Sequence, residues 1–366
     1  MEHKKRNIIG MAAVAGLWLL LTVFAWFRSP DAYSVAERRE LEQFPEITTQ
    51  TLLNGKFMTE FDSYALDQFP LRDGFRSLKA QFHYNILRQK DNNKIYLAQG
   101  HAAKLEYPLN EKSVDHALSV FGKINTKYLQ GSNIYYCVVP DKGYYLAESN
   151  GYPAMDYAAL FEKMKAGMPY ATQIDLTDTL DIDDYYRTDT HWRQEALIPA
   201  AQKLCTAMGV TQPNAESFTP TAADVHFYGV YHGQAALPLE PDTLYTMESS
   251  LLESCKVFNY ETNKYSSVYD ESKLESDDLY EVYLSGPVSL LTVENPNATT
   301  DRELILFRDS FGSSMAPLLA QGYKTITLVD IRYISSAMLD RFIEFHGQDV
   351  LFLYSTIVLG SSSQLQ

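Results

Sequence analysis

An uncharged apolar run near the N-terminus constrains this chain most strongly. The run extends from Ile8 to Phe27, which is 20 residues without a charged side chain. As a helix it would measure roughly 30 Å, enough to cross the hydrocarbon core of a bilayer. Lys4, Lys5 and Arg6 precede the run. This charge order predicts a cytoplasmic N-terminus, a single membrane crossing and a remaining chain that lies outside the cell.

Two other interpretations fit the run less well. A cleaved signal peptide has an apolar core of about 7–15 residues that ends in a small-residue cleavage site. The sequence Ala25-Trp26-Phe27-Arg28 offers no such site, so an uncleaved membrane anchor over residues 1–28 is favoured. A buried core helix is the third interpretation, and a charge-free run of this length fits it poorly.

The charge balance and the cysteines exclude several functional classes. The chain carries 46 acidic and 31 basic residues, a formal net charge of -15. That balance predicts no nucleic-acid partner, because such binding needs clustered lysine and arginine. Three scattered cysteines, Cys137, Cys205 and Cys255, are too few for a disulfide framework or a zinc site. Neither a metal nor a cofactor is expected.

The rest of the chain divides into an arm and a larger domain. Residues 29–93 are predicted to form a stalk or packing arm. A helix is expected there from Leu71, with Phe75, Leu78, Phe82 and Ile86 along one face. Residues 94–366 are predicted to form an α/β domain, with a loop and hairpin insertion at about residues 212–300.

Apolar runs and helical patterns alternate along residues 94–366. The predicted strands are Lys94–Ala98, Asn133–Val139, Gln173–Leu176, Leu304–Phe307, Thr325–Val329 and Val350–Tyr354. The predicted helices are Ser113–Leu129, Tyr157–Lys165, Trp192–Met208, Phe311–Ala320 and Ser336–Phe345. This alternation predicts a parallel sheet with helices on both faces.

A serine stands where one predicted strand meets a helix. Ser310 follows the strand that ends near Arg308 and precedes the helix that begins at Phe311. Such a turn places a hydroxyl at the carboxyl edge of the sheet, where α/β ligands bind. It would also direct the first helix amides toward a developing oxyanion, while Gly312 would let a substrate approach the backbone closely. Helix capping by Asp309 or Ser310 is the simpler alternative.

A carboxylate and an imidazole lie two residues apart in Asp189-Thr190-His191-Trp192. A serine needs a base to become nucleophilic, and the base needs a partner that fixes its tautomer. Asp189, His191 and Ser310 supply these three groups. A helix-capping Asp189 and a His191 bonded to backbone are equally open at this stage.

These motifs together resemble the DHHW proteins and, through them, the alginate O-acetylation proteins with SGNH-hydrolase-like domains. The resemblance also rests on Glu37, Arg39, Leu41, Asp67, Phe69, Pro70, Arg72, Val139-Pro140-Asp141-Lys142, Phe227-Tyr228-Gly229 and Asp330-Ile331-Arg332-Tyr333. It implies an SGNH-like fold with permuted motif order and a triad of Asp189, His191 and Ser310. Thr190 departs from the name-giving tetrapeptide, at a position that the resemblance does not place in the triad.

The resemblance implies acetyl transfer on a cell-surface or secreted polysaccharide, with a membrane-bound O-acyltransferase as acetyl donor. A deacetylating esterase with the same triad and a non-catalytic scaffold or carbohydrate-binding protein are the alternatives. Lys142 and Arg332 each follow a predicted strand and could position a carbonyl or an anionic polymer; a solvated loop cation or a structural ion pair is the simpler role. Tyr228 and Tyr231 could line a sugar groove or simply pack.

Overall fold

A computed structural model describes residues 2–366 of the chain. The chain divides into two compact units. The first comprises the residues up to Asn93 together with His232–Pro238, and the second comprises Lys94–Tyr231 and Leu239–Gln366. The limits of anchor, arm and insertion drawn from the sequence stay a prediction.

The first unit begins with a long apolar helix. Its helices are α1 (Glu2–Phe27), α2 (Thr49–Leu53), α3 (Lys56–Asp67) and α4 (Arg72–Gln81), and its short strands are β1 (Tyr33–Ser34), β2 (Arg39–Glu40) and β3 (Asp91–Asn92). Within α1, residues His3–Phe27 are long and apolar enough to cross a membrane. The predicted N-terminal apolar helix is therefore confirmed, and a membrane anchor or a signal sequence would share its length and composition.

An ion-pair cluster holds the arm of the first unit together. Arg39 donates two hydrogen bonds to Asp67, at 2.6 and 2.8 Å. These bonds lower the pKa of the Asp67 carboxyl to about 2. Glu37 forms ion pairs with Arg72 and with Arg76, the latter at 3.1 Å. The charged residues that the DHHW resemblance quoted from the arm therefore stabilise its fold.

The second unit contains the large sheet. Its helices are α5 (Glu111–Tyr128), α6 (Lys142–Leu146), α7 (Tyr157–Gly167), α8 (Ile198–Met208), α9 (Val230–Ala235, which continues into the first unit), α10 (Ser250–Ser254), α11 (Phe311–Leu319) and α12 (Thr356–Gly360). Its strands are β4 (Ile95–Ala98), β5 (His101–Lys104), β6 (Asn133–Val139), β7 (Thr172–Gln173), β8 (Thr219–Ala222), β9 (Tyr245–Glu248), β10 (Lys256–Asn259), β11 (Lys264–Ser266), β12 (Leu290–Glu294), β13 (Glu303–Arg308), β14 (Thr325–Val329) and β15 (Asp349–Ser355).

The eight-stranded sheet is parallel over most of its width. Its strand order is β11-β10-β12-β14-β13-β15-β6-β7. The five strands from β14 to β7 pair in parallel. The strands β10, β11 and β12 add an antiparallel edge. The region predicted as a loop and hairpin insertion thus contributes three strands to the main sheet.

Both faces of the sheet are covered, which explains the continuous apolar strands. On β6, Cys137 and Val139 join the core that includes Leu204 of α8 and Met315 of α11. Ile134, Tyr136 and Val138 of the same strand join the opposite core with α5 and α7. A strand buried on both faces reads as an apolar run rather than an alternating one. The predicted α/β class with a mostly parallel sheet is confirmed.

Three predicted elements differ from the structure. The single helix predicted over Trp192–Met208 is wrong: a 3-10 turn at Gln194–Ala196 precedes α8. Pro199 explains the break, because proline fits the first turn of a helix and not its interior. The helix predicted over Ser336–Phe345 is a 3-10 helix that ends at Arg341. The strand predicted over Gln173–Leu176 is confined to Thr172–Gln173.

Candidate active site

The turn after β13 carries the candidate nucleophile. Ser310 occupies the N-cap position of α11, but its hydroxyl caps no helix amide. Asp309 performs that task, since its Oδ1 accepts from the amide of Phe311 at 3.0 Å. Its Oδ2 accepts from the amide of Ser355 at 2.8 Å, which ties the turn to the end of β15. The capping alternative therefore holds for Asp309 and leaves the Ser310 hydroxyl available for chemistry.

A short hairpin presents the Asp-Thr-His segment. Tyr185 and Trp192 form an antiparallel bridge, and the amide of Tyr186 donates to the carbonyl of His191 at 3.0 Å. The buried indole of Trp192 donates to the Ser314 hydroxyl of α11 at 2.8 Å. The tryptophan that closes the motif therefore fastens the hairpin to the helix that follows the nucleophile.

Asp189, His191 and Ser310 form one continuous relay. The His191 Nε2 lies 2.7 Å from the Ser310 Oγ. The Nδ1 of the same ring lies 2.6 Å from the Asp189 Oδ1. A carboxylate at Nδ1 accepts the ring proton there, so Nε2 is the atom that can accept the serine proton. The structure thus brings together the three residues that the sequence singled out.

The Asp189 carboxylate is held on both oxygens. It is fully buried. Oδ1 also accepts from the amide of His191 at 3.0 Å, and Oδ2 accepts from the amide of Val230 at 2.9 Å. Gly229 lies so close that a Cβ there would fall 2.2 Å from the Asp189 Cβ. The Phe-Tyr-Gly segment therefore supports the Asp189 carboxylate by close backbone contact.

A second buried carboxylate fixes the start of the hairpin loop. Asp242 accepts from the amides of Arg187 and Thr188, each at 2.8 Å. It also accepts from the Thr188 hydroxyl at 2.6 Å, and this hydroxyl accepts in turn from the amide of Gly229 at 2.9 Å. Asp242 therefore fixes the backbone of Arg187 and Thr188, which directly precede Asp189.

The His191 ring is held by aromatic contacts as well as hydrogen bonds. The Tyr280 ring stacks on it with a centroid distance of 3.8 Å and an interplanar angle of 6°. The hydroxyls of Tyr280 and Ser314 lie 2.8 Å apart, so the stacked ring is itself fixed to α11. Because the imidazole cannot rotate without breaking these contacts, its Nε2 stays directed at the serine.

Lys142 is a buried lysine rather than an exposed cleft cation. Only 2% of the residue is exposed. Its Nζ donates to the carbonyls of Tyr186 and Arg187, at 2.9 and 3.2 Å, and lies 5.1 Å from the centroid of the Tyr231 ring. Burial lowers the pKa of Lys142 to about 7. Lys142 therefore holds the hairpin through backbone carbonyls of the hairpin, whereas Asp242 holds it through backbone amides of the hairpin.

Arg332 is engaged in a structural ion pair, which is one of the two simpler roles expected for it. Its guanidinium donates to Asp330 through Nε at 2.8 Å and through Nη2 at 2.6 Å. Burial opposes its charge, but the bonds to Asp330 raise its pKa. The buried Arg308 approaches the same carboxylate at 3.4 Å. Asp309 also attracts both guanidinium groups, so the two arginines and two aspartates carry no net formal charge at the carboxyl ends of β13 and β14.

Gly312 and Tyr231 do not fit the roles expected of them, whereas the role of Tyr228 stays a prediction. The amide of Gly312 donates to the carbonyl of Asp309 at 3.1 Å, so it is not an available oxyanion donor. A Cβ at Gly312 would lie 2.6 Å from the Arg308 Cβ, so close packing explains this glycine. Tyr231 is buried and bonds the Thr190 hydroxyl at 3.1 Å, which leaves no face for a sugar. Tyr228 is 44% exposed.

Sequence reasoning missed Asp242, Tyr280 and the tether made by Asp309. No local motif distinguishes Asp242 or Tyr280, because their roles depend on contacts with residues far away in the chain. The position of Asp309 directly before the serine did point to a cap. Within residues 2–366, no group of three or more histidine, cysteine, aspartate or glutamate side chains is placed to hold a metal ion.

Comparison with known proteins identifies a family match. The family described as DHHW protein matches residues 149–329, a range that contains Asp189, His191 and Ser310. The predicted resemblance to the DHHW proteins is therefore confirmed. No match was found among curated proteins.

Two of three similar solved structures, those with TM-scores above 0.5, share the fold. A DHHW family protein from Eubacterium siraeum is 20% identical, with a TM-score of 0.61 over 75% of this chain and 95% of that one. Bacillus cereus PatB1 with a sulfonyl adduct is 17% identical, with a TM-score of 0.57 over 72% of this chain and 95% of that one. The O-acetyltransferase domain of Pseudomonas putida AlgJ is 15% identical, with a TM-score of 0.45 over 73% and 92% of the two chains.

Proposed function

We propose that this chain is a serine O-acetyltransferase that modifies a cell-surface or secreted polysaccharide. The observation that carries the proposal is the continuous relay from Asp189 through His191 to Ser310, with both bonds shorter than 2.8 Å. The DHHW match over the same residues supports it, as does the sequence resemblance to the alginate O-acetylation proteins.

The proposed reaction has two halves. His191 Nε2 takes the proton of Ser310 as Oγ bonds to the acetyl carbonyl carbon, and the bond from that carbon to the donor oxygen breaks. The proton passes from His191 to the departing oxygen. An acceptor hydroxyl then gives its proton to His191 and attacks the acetyl-serine, and the Ser310 Oγ recovers a proton as it leaves. Asp189 stabilises the imidazolium in both halves.

The location proposed for this chemistry is the outer face of the membrane. The apolar helix α1 follows three basic residues, an order that favours a cytoplasmic N-terminus. We propose that α1 stays attached as a single-pass anchor. The anchor would raise the effective concentration of the enzyme near a membrane-bound O-acyltransferase that supplies the acetyl group.

A comparison of two serine variants tests the proposal. The full-length chain in detergent micelles should release nitrophenol from p-nitrophenyl acetate, and Ser310→Ala should abolish this release. Ser313→Ala is the matched control, because Ser313 is buried in the same helix turn and lies outside the relay. Equal turnover by the wild type and Ser310→Ala would refute the catalytic assignment.

An added oligosaccharide then separates the possible activities. A transferase moves acetyl groups onto the sugar in preference to water, and this is the expected result. Acetate release alone, at the same rate with and without sugar, would identify an esterase instead. Sugar binding by a wild type that turns over no ester would identify a scaffold and overturn the enzymatic proposal.

A further inference from the structure

The arm of the first unit carries an exposed apolar stripe. Its members are apolar side chains that recur every three or four residues from Leu71, the residue before α4, along α4 and the π-helical turn Phe82–Ile86. They are Leu71, Phe75, Leu78, Phe82 and Ile86, which are 72%, 44%, 64%, 50% and 67% exposed. This spacing places all five on one side of the helix. We refer to these five residues as the apolar stripe.

The opposite side of the same helix packs against protein. Ala80 is fully buried there, and Arg72 and Arg76 pair with the partly buried Glu37. A helix on the surface of a water-soluble protein shows the reverse arrangement, with apolar residues inward and charges outward. An apolar helix face of this length that is turned outward marks an interaction surface.

The stripe is continuous with α1, and the inference rests on the proposal above that α1 is a membrane anchor. The ring of Trp18 in α1 lies 6.1 Å from that of Phe69, and Phe69 lies 5.5 Å from Phe75 at the start of the stripe. The apolar window of α1 is itself 0% buried by protein. A lipid bilayer would cover α1 and the stripe together, which a water-soluble partner protein would not do.

The charges around the stripe fit an anionic lipid surface. Residues 72–90 contain five basic side chains and one acidic side chain, within a chain whose net charge is -15. Lys79, Arg88 and Lys90 are exposed beside the stripe. Helices that lie in the membrane interface combine an apolar face with lysine and arginine at its borders, where the cations meet phosphate groups.

We propose that the segment from Leu71 to Ile86 lies in the headgroup region of the bilayer that α1 crosses, with the apolar stripe in contact with acyl chains. The first unit is then attached to the membrane at two places, by a spanning helix and by an interfacial helix. The attachment is independent of the chemistry proposed for Ser310.

Spin labels on single introduced cysteines test this placement. The native thiols of Cys137, Cys205 and Cys255 are all buried, so a label attaches selectively to an exposed new cysteine. Leu78→Cys, Phe82→Cys and Ile86→Cys place a label on the stripe. Gln81→Cys is the matched control, because it is exposed on the same helix but off the stripe. Each full-length variant is reconstituted into vesicles of phosphatidylcholine and phosphatidylglycerol.

The readout is the collision of each label with oxygen, which concentrates in lipid, and with a water-soluble nickel chelate. We expect the ratio of oxygen to nickel collisions to be severalfold higher at the three stripe positions than at Gln81→Cys. Equal ratios at all four positions would overturn the proposal. So would a stripe that loses contact with water only after another protein is added, which would assign it to a protein partner.

The variants are suited to this comparison because the stripe side chains are exposed and contribute little to the core. Unchanged turnover of p-nitrophenyl acetate by each labelled variant verifies that the second unit is folded. A failure of the membrane proposal therefore appears in the collision ratios alone, whereas a failure of the proposed function appears in the turnover of the wild type.

Discussion

Replacing Asp189 by asparagine should test whether catalysis needs the correct orientation and tautomer of His191, because the imidazole itself is retained. The carboxylate accepts from the Nδ1 and amide of His191 on one oxygen and from the amide of Val230 on the other. An asparagine has one acceptor oxygen and one NH₂ group. If the oxygen faces His191, the NH₂ faces the N–H of Val230; if it faces Val230, the NH₂ faces His191.

Each orientation leaves one pair of buried donors facing each other. This should cost about 1–3 kcal/mol of unfolding free energy. The second orientation also makes Nδ1 an acceptor and moves the ring proton to Nε2, which can then no longer accept the proton of Ser310. In a serine protease the corresponding change lowers kcat by about 10⁴, which corresponds to roughly 5.5 kcal/mol of activation free energy.

We therefore expect Asp189→Asn to lower kcat for p-nitrophenyl acetate by about 10³–10⁴, because the imidazolium also loses its carboxylate. The KM should change little, since Asp189 is 0% exposed and cannot contact a substrate. Asp178→Asn is the matched control, because the Asp178 side chain is 72% exposed and pairs with Lys203 on the surface. A folded Asp189→Asn variant with kcat within about tenfold of wild type would refute the role given to this carboxylate.

Three further substitutions test the supports of the site. Gly229→Ala should destabilise the fold and abolish turnover, because its Cβ would fall 2.4 Å from the Asp189 Cα. Gly122→Ala should be tolerated, because a Cβ there meets nothing within 4 Å. Thermal unfolding and ester turnover measure both effects. Asp242→Asn should lower turnover by misaligning the hairpin, because an NH₂ group replaces one of the two oxygens that accept from Arg187 and Thr188; retained turnover would contradict that role. Burial lowers the pKa of Lys142 to about 7, so the wild type should gain stability relative to Lys142→Met as the pH rises from about 7 to 9, by up to ~1.4 kcal/mol per pH unit. The sign follows because the unfolded lysine, with a pKa near ~10.4, still binds the proton that the folded one has released; a constant difference in urea unfolding free energy would contradict it.

The sheet and the relay of Asp189, His191 and Ser310 could be predicted because local sequence patterns indicate both. Buried strands such as Asn133–Val139 and Thr325–Val329 are apolar runs with sharp ends, and their observed bounds agree with the predicted ones. Ser310 was identified by its place between a strand and a helix. His191 was identified by a neighbouring carboxylate and a loop position.

The supports of the site depend on contacts that local patterns do not encode. Thr188 meets Asp242 across 54 positions of sequence. Lys142 follows a strand as predicted, but its burial results from the hairpin that packs over it. The antiparallel edge of the sheet was also missed, because the short strands β10 and β11 lie among polar residues without a clean alternation.

The outward apolar stripe shows a related limit. Its helical spacing was visible in the sequence, which correctly indicated a helix from Leu71. A spacing pattern reports that one face is apolar but does not report what covers it. The exposure of Leu71 and Ile86 and the pairing of Arg72 with Glu37 supplied that information.

Trapping the acetyl-enzyme is the most direct test of the proposed chemistry. The full-length chain is mixed with p-nitrophenyl acetate, quenched in acid and digested, and the peptides are analysed by mass spectrometry. We expect the mass of one acetyl group on Ser310 in the wild type and in Ser313→Ala, and no acetyl group at this turn in Ser310→Ala. A wild type that turns over the ester while Ser310 stays unmodified, or that carries the acetyl group elsewhere with Ser310→Ala equally active, would contradict the assignment of Ser310 as the nucleophile.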